Sequence, residues 1–181
     1  MRYTLRPATL EDGVRLLQDV REEDRREWED ATGLPLDLQL MAALSGNSKA
    51  LTVAHAGLPY GPPLLIWGVD FVSKHLGQVW LIATNAAMKS ATSLHSIAPE
   101  ALFLLDAKYP TTVAYADPRN ATHLRWLRRM GWREVRTIPT GPTGLPYIQF
   151  ERTANVSPST GYRLNGGRPR GFGGAASSGG R

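Results

Sequence analysis

The chain has 181 residues, of which 42% are hydrophobic and 20% charged, a composition typical of an ordinary globular protein that buries its own core. It contains no cysteine, which excludes disulfides, thiolate nucleophiles and cysteine-ligated metal sites. No apolar run reaches the roughly 18 residues of a membrane span, and the four scattered histidines lack metal-ligand spacing. We therefore predict no membrane contact and no metal site, and the opening MRYTLRP, without the apolar core of a signal peptide, predicts a cytosolic origin.

The formal charge of +5 is concentrated at the C-terminal end of the chain. Residues 155–181 hold four arginines, no acid and eight of the 18 glycines, which leaves a charge of only +1 for residues 1–154. Such a segment cannot bury enough apolar surface to fold alone. We predict a folded domain over residues 1–152 and an extended Gly/Arg-rich arm over residues 153–181, without a core of its own.

The N-terminal part predicts one short strand and two helices. Residues 2–9 contain an alternation of polar and apolar side chains as in a half-buried strand, and Thr9 with Asp12 forms a capping-box pattern at the start of a helix. Nine of the ten residues from Arg21 to Asp30 are charged, which favours a solvated face of that helix and leaves a docking surface as the alternative. A second helix is expected over 36–44.

The remaining elements follow in a mixed order. The runs 50–56, 64–72 and 78–83 are separated by turn formers, which predicts an antiparallel meander. A helical stretch over 90–108 comes next, where Pro99 either opens a new first turn or kinks a longer helix. A strand over 111–117, a helix ended by Gly131 and a final pair of strands complete the pattern.

Two local patterns in this order resemble the GNAT superfamily of N-acetyltransferases. They are LRPATLEDGVRLL at the N-terminus and DPRNATHLRWLRRMGW, in which Asn120 precedes an amphipathic helix closed by Gly131 and Trp132. The resemblance covers residues 2–151. It implies an α/β fold with a mixed, mostly antiparallel sheet of about six to seven strands and about four helices.

A narrower likeness combines these two patterns with REEDRREWEDATG and LDAKYP. In that combination the chain resembles the GNAT-like proteins of podovirus phages, called internal virion protein A or phage acyltransferase-like protein. The resemblance implies a virion component that is made in the host cytoplasm and contacts portal, adaptor or tail subunits. Several copies in a symmetric assembly would follow from the symmetry of the particle.

Acetyl transfer to an amine needs a cradle for the cofactor pyrophosphate, a polarising backbone amide, a base and an acid. In the family the cradle is a glycine-containing loop after the fourth strand, whereas this chain has no glycine from residue 78 to 130. Ala86, Ala87 and Lys89 are the candidates there, with Asn120 as a further cofactor contact or simply a helix cap. We therefore expect no cofactor unless the enzyme hypothesis holds, in which case it is acetyl-CoA.

The acid and the base are also in question. The family's usual acid is a tyrosine seven residues after the asparagine, where this chain has Leu127; Tyr115 is the substitute candidate. Asp117, His123 and Glu100 are nominal bases. Each also has a structural interpretation: an Asp-Pro turn, an exposed helix face and a helix first turn, respectively.

Candidate partner-binding residues lie mainly in the arm. We expect Trp28 to be an interface anchor if it is exposed, and we expect the arm to contact a partner through its arginines and apolar residues: Arg163, Leu164, Arg168, Arg170 and Phe172. The first hypothesis is therefore a virion assembly protein without activity. The alternative is an acetyl-CoA-dependent N-acetyltransferase acting on a protein or small amine, and a weaker one is a nucleic-acid-binding accessory protein, which the sparse arginines do not favour.

Overall fold

The computed structural model describes residues 3–46, 48–56, 61–90 and 94–154. Within these residues the chain forms seven strands and six α-helices. The strands are β1 Tyr3–Pro7, β2 Lys49–His55, β3 Leu65–Ser73, β4 Leu76–Ala83, β5 Thr111–Ala116, β6 Arg133–Thr140 and β7 Leu145–Thr153. The helices are α1 Leu10–Leu17, α2 Glu22–Thr32, α3 Leu36–Ser45, α4 Asn85–Lys89, α5 Ala98–Asp106 and α6 Ala121–Arg129.

All seven strands form one sheet in the order β1-β2-β3-β4-β5-β7-β6. Every neighbouring pair is antiparallel except β4 and β5, which are parallel. The hairpin β6–β7 folds back so that β7 lies between β5 and β6. The predicted α/β fold with a mostly antiparallel sheet is thus confirmed, including the meander β2–β3–β4.

Helices cover both faces of the sheet, and each face has its own apolar cluster. One cluster joins the sheet to α5 and α6 and includes Trp67, Leu105, Leu127 and Phe150. The other lies under α1 and α3, where Leu16, Leu36 and Leu40 pack on Ile66 and Ile82. Alternate residues of β3 and β4 therefore serve different cores, as the two-residue period of a strand requires.

Several local expectations are confirmed. The Thr9 side chain accepts a bond from the Asp12 amide at 3.2 Å, and the Asp12 carboxylate accepts one from the Thr9 amide at 2.9 Å, which completes the capping box. Pro99 lies in the first turn of α5, after a short 3-10 turn at His95–Ile97. Gly131, with φ of 91°, ends the C-terminal part of α6 in the left-handed region.

One expectation about the helices is wrong. The single helix predicted from residue 10 onward is broken into α1 and α2, because the connection between them pairs with the end of β4 through a bridge from Val20 to Thr84. This contact is tertiary, so no local signal in the sequence announces it.

Candidate active site

The two parallel strands β4 and β5 diverge along their length. They pair only over Leu76–Gln78 and Thr111–Val113, so a gap opens between the later residues of each strand. Ala83 directs its N–H and C=O away from β3, toward this gap. Because backbone groups of a strand alternate with a period of two, the peptide groups of Leu81 face the gap as well.

The connection between α1 and α2 covers the far end of β4. The Arg21 amide donates to the Ala83 carbonyl at 3.0 Å, and the Ala83 amide donates to the Asp24 carboxylate at 2.9 Å. The free edge of β4 is therefore closed at Ala83 and open at Leu81.

The turn from β4 into α4 binds a carboxylate. The Ala86 amide donates to Asp19 Oδ2 at 3.0 Å, and the Asn85 amide donates to the Asp19 carbonyl at 2.8 Å. The Ala87 amide is capped by Thr84 Oγ1 at 3.1 Å. The side chains of this turn are small, and the Ala86 amide already binds a carboxylate oxygen. The turn therefore fits a pyrophosphate oxygen when Asp19 moves away from that amide.

A buried polar network of α2 and α6 fills the base of the gap. Asn120, which is 1% exposed, donates from its amide nitrogen to Glu27 at 2.6 Å and to Asp24 at 3.0 Å. Its oxygen caps α6 by accepting from the His123 amide at 3.2 Å. Arg21 balances Asp24 with a bond of 2.9 Å, so the buried charges are paired.

His123 and Glu27 form the part of this network that reaches solvent. The His123 Nδ1 atom lies 2.9 Å from Glu27 Oε1 and 3.1 Å from Oε2. An ionised carboxylate only accepts, so the proton is on Nδ1 and the lone pair of the neutral ring is on Nε2. Nε2 has no hydrogen-bond partner among the described residues and is not one of the wholly buried unpaired atoms.

The environment of His123 favours its charged form. Burial opposes the charge, but the carboxylates of Glu27 and Asp24 outweigh it and raise the pKa of the His123 imidazole. His123 is therefore not on an exposed helix face, as the sequence suggested, since its side chain is only 10% exposed. The imidazole is held by a carboxylate in a fixed orientation, the arrangement of a general base.

The gap opens into a cleft of about 600 Å³ on the α1–α3 face of the sheet. His123 and Glu27 lie in its wall, together with Tyr115 of β5 and Tyr147 of β7. The Tyr147 hydroxyl donates to the Glu27 carbonyl at 2.6 Å, and burial raises the pKa of that phenol. The phenol of Tyr115 has no partner among the described residues.

Asp117 occupies a different environment from the other predicted site residues. Its carboxylate is 1% exposed and forms a salt bridge with Arg119 at 2.7 Å. Burial alone would raise the pKa of Asp117, but the hydrogen bonds and charge of Arg119, with Arg26 nearby, lower it. A carboxylate that holds its partners this firmly is a poor proton acceptor, and the structure favours a positional role for Asp117.

The remaining predicted residues are divided between core and surface. Asn120 is buried with its amide occupied, so it positions other side chains instead of facing a cofactor. Lys89 is exposed at the end of α4, Glu100 is exposed in the first turn of α5, and Leu127 is in the core.

Trp28 packs edge-on against Trp80, with ring centroids 5.4 Å apart, and is half-buried. It is therefore part of the second apolar cluster as well as of the cleft wall. The five partner-binding residues predicted in the arm lie outside the described residues. Among the described residues no group of three or more His, Asp or Glu is placed to hold a metal ion, and none of their helices could cross a membrane.

The residue of this candidate site that sequence patterns missed is Glu27. It lies in the charged stretch that predicts a solvated face, yet it is 5% exposed. The available signal is spacing: Arg21, Asp24 and Glu27 recur every three residues and so share one side of the helix.

No protein-family model matches the chain, and no curated protein matches it in sequence. Solved structures do match in fold. An acetyltransferase (GNAT family) from Bacillus anthracis is similar with a TM-score of 0.63 and 12% identity, over 85% of this chain and 96% of that one. The ribosomal-protein-S18-alanine N-acetyltransferase from Escherichia coli gives 0.61 and 12%, over 90% and 99%.

AAC(6')-Ib, solved in complex with ribostamycin and coenzyme A, gives a TM-score of 0.62 and 14% identity, over 84% of this chain and 94% of that one. At these identities the likeness establishes the architecture. The chain has the fold of the GNAT acetyltransferases.

Proposed function

We propose that the protein is an N-acyltransferase that transfers an acyl group from acyl-coenzyme A to a primary amine. The observation that carries this proposal is the His123–Glu27 pair at the gap between β4 and β5. A buried imidazole whose Nδ1 is held by a carboxylate and whose Nε2 has no partner is suited to accept a proton. The fold comparisons support the same activity.

The residues of the cleft divide the chemistry between them. An aliphatic amine arrives as an ammonium ion with a pKa of about 10, and it must lose a proton before it can attack. His123 Nε2 accepts that proton, and Glu27 stabilises the resulting imidazolium through Nδ1. The Leu81 amide is free to donate to a carbonyl oxygen. The Tyr115 phenol gives its proton to the departing thiolate, and the phenoxide then takes the second proton from the acylated nitrogen, which leaves an amide and a free thiol.

Acetyl-CoA, when bound, supplies the activated acyl group. The residues that would hold it are the open edge of β4 at Leu81 and the Ala86 amide once Asp19 moves away, while the Ala87 amide stays capped by Thr84. The absence of glycine between residues 78 and 130 does not remove these donors, because the alanines are small enough to leave the amide of Ala86 within reach of an oxygen. The lost family tyrosine at Leu127 is replaced in function by Tyr115.

The experiment measures acyl transfer from acetyl-CoA to a panel of primary amines by wild-type protein and by the His123→Gln variant. We expect His123→Gln to lower kcat/KM by roughly 100- to 10,000-fold, the usual contribution of a general base. Glu27→Gln should give a smaller loss, because it removes the charge that stabilises the imidazolium and keeps an oxygen in place.

His75→Gln is the matched control, since His75 is exposed in the turn between β3 and β4 and does not line the cleft. Full activity in His123→Gln would contradict the assignment of the base. The absence of both acetyl-CoA binding and transfer in the wild-type protein would contradict the proposed function.

The resemblance to phage proteins supports a second proposal, in which the domain is an assembly component of a virion and the arm contacts neighbouring subunits. Residues 155–181 lie outside the described residues, so this proposal depends on the sequence alone. It is compatible with the first, because an enzyme can also be packaged in a particle.

A further inference from the structure

The cleft that contains His123 is acidic and aromatic. Of the described side chains that line it, only Glu27 and Asp70 carry a negative charge, and none is a lysine or an arginine. Four aromatic side chains complete the wall: Trp28, Trp80, Tyr115 and Tyr147. A cleft with this lining attracts cations that have an apolar stem.

Trp80 forms the floor between the two carboxylates. Its indole lies against Gly68, where a Cβ atom would be only 2.2 Å from the ring. Only glycine therefore fits at position 68 beneath this ring. Trp28, which adjoins Glu27 in α2, packs against Trp80 with the two ring planes at 88°.

Asp70 is held by two hydrogen bonds at the Nε1 edge of Trp80. It accepts a hydrogen bond from Trp80 Nε1 at 3.2 Å and one from the Ser48 hydroxyl. Both partners are neutral, and Asp70 forms no salt bridge with any described residue. The negative charge of Asp70 therefore has no cationic partner among the described residues, whereas Glu27 is paired with His123.

We infer that the acceptor is a linear aliphatic diamine or polyamine and that Asp70 determines this specificity. One amine meets His123 Nε2, the methylene chain lies on Trp80, and the second, still cationic amine pairs with Asp70. This inference rests on the proposed function, since it names the acceptor of the same cleft. Asp70 acts on binding of the distant cation and takes no part in proton transfer.

The test compares kcat/KM for 1,4-diaminobutane, 1,5-diaminopentane and spermidine with that for n-butylamine and n-pentylamine. We expect wild-type protein to prefer the diamines by about tenfold or more, the effect of one charge-assisted hydrogen bond. In Asp70→Asn this preference should disappear through a higher KM for diamines, with the monoamine values unchanged. Asparagine keeps an oxygen for Trp80 and Ser48, so the variant should retain the fold, which a melting curve verifies.

Asp37→Asn is the control, because Asp37 is an exposed acid at the start of α3 outside the cleft lining. Calorimetry of spermidine binding without cofactor gives a second readout, in which Asp70→Asn should bind more weakly than wild type. Equal kcat/KM for monoamines and diamines, or an equal loss for both in Asp70→Asn, would overturn the inference while amine acetylation itself stands. A lysine peptide accepted better than every free diamine would also overturn it, and transfer to no amine at all would overturn both proposals.

Discussion

His123 connects the chemistry of the cleft to the stability of the domain. Its pKa is raised above the ordinary value because Glu27 and Asp24 favour the imidazolium more than burial opposes it. The charged form is therefore the one that stabilises the folded state. The neutral form is the one that can accept a proton, so stability and activity should respond to pH in opposite directions.

The raised pKa of His123 predicts how the stability of the domain changes with pH. A histidine whose folded pKa exceeds the unfolded value of about 6.5 contributes fully at pH values below 6.5, and that contribution is lost as the pH rises through the folded pKa. We expect the melting temperature of the wild-type protein to fall across that interval, while the acyl-transfer rate rises. Thermal melts of wild type and His123→Gln at a series of pH values measure it.

Arg21, Asp24 and Glu27 surround the imidazole and are present in both proteins. The difference in melting temperature between wild type and His123→Gln therefore reports on the histidine alone. A His123→Gln variant with the same pH slope as the wild type would show that another group titrates in this range.

The residue scale also separates what sequence can predict from what it cannot. The cap at Asn120 and the helix end at Gly131 are local devices, and both are where the sequence places them. Glu27 is different, because its burial depends on a strand that begins 84 residues later. A charged residue looks solvated until its partners from distant elements are known.

At the scale of elements, the connection between α1 and α2 is the contact with the clearest consequence. It pairs with the end of β4 and places the Asp19 carboxylate on the Ala86 amide. This is the turn that we assign to the cofactor, so the carboxylate and a cofactor phosphate would compete for the same donor. Under the proposed function, the chain would thus limit its own affinity for the cofactor.

Removal of Asp19 should relieve this competition. We expect Asp19→Ala to bind coenzyme A about threefold to tenfold more tightly than the wild type, the effect of one exchanged hydrogen bond. Titration calorimetry measures it, with Asp37→Ala as the control. Weaker binding in Asp19→Ala would indicate that the carboxylate supports the shape of the turn and does not compete.

The elements also differ in how well the sequence alone predicts them. The meander, the proline at the start of α5 and the closing hairpin are all signalled by turn formers and periodicity within each segment. The break between α1 and α2, and the divergence of β4 from β5, are products of pairing between distant segments. The site lies at both of these places, which is why the sequence predicts its scaffold better than its contents.

At the scale of the whole molecule, the C-terminal end of β7 is held against the domain by several contacts. Arg152 pairs with Asp106 and lies over the ring of Trp132, and the Ala154 amide donates to the Pro110 carbonyl at 2.8 Å. These contacts hold the end of β7 and Ala154 against the domain, and the division into a domain over 1–152 and an arm over 153–181 stays a prediction.

Deletion of residues 155–181 tests that organisation. We expect the melting temperature to change by no more than about 2 °C, since the deletion removes none of the described core. In a phage context the same variant should be lost from purified particles if the arm is the anchor. A large fall in melting temperature would show that the arm belongs to the fold, and unchanged occupancy would count against the assembly proposal.

The divergence of β4 and β5 divides the sheet into two halves, β1–β4 and β5–β7–β6, which share only a short ladder. Asp24 fastens α2 to the first half at Ala83, and Glu27 fastens it to the second at the Asp117 amide, 3.1 Å away. Glu27, which orients the proposed base, therefore also helps to join the two halves of the sheet. A substitution at position 27 that alters the proposed base would therefore also weaken the contact between the two halves of the sheet, and a ligand bound between β4 and β5 would contact both halves.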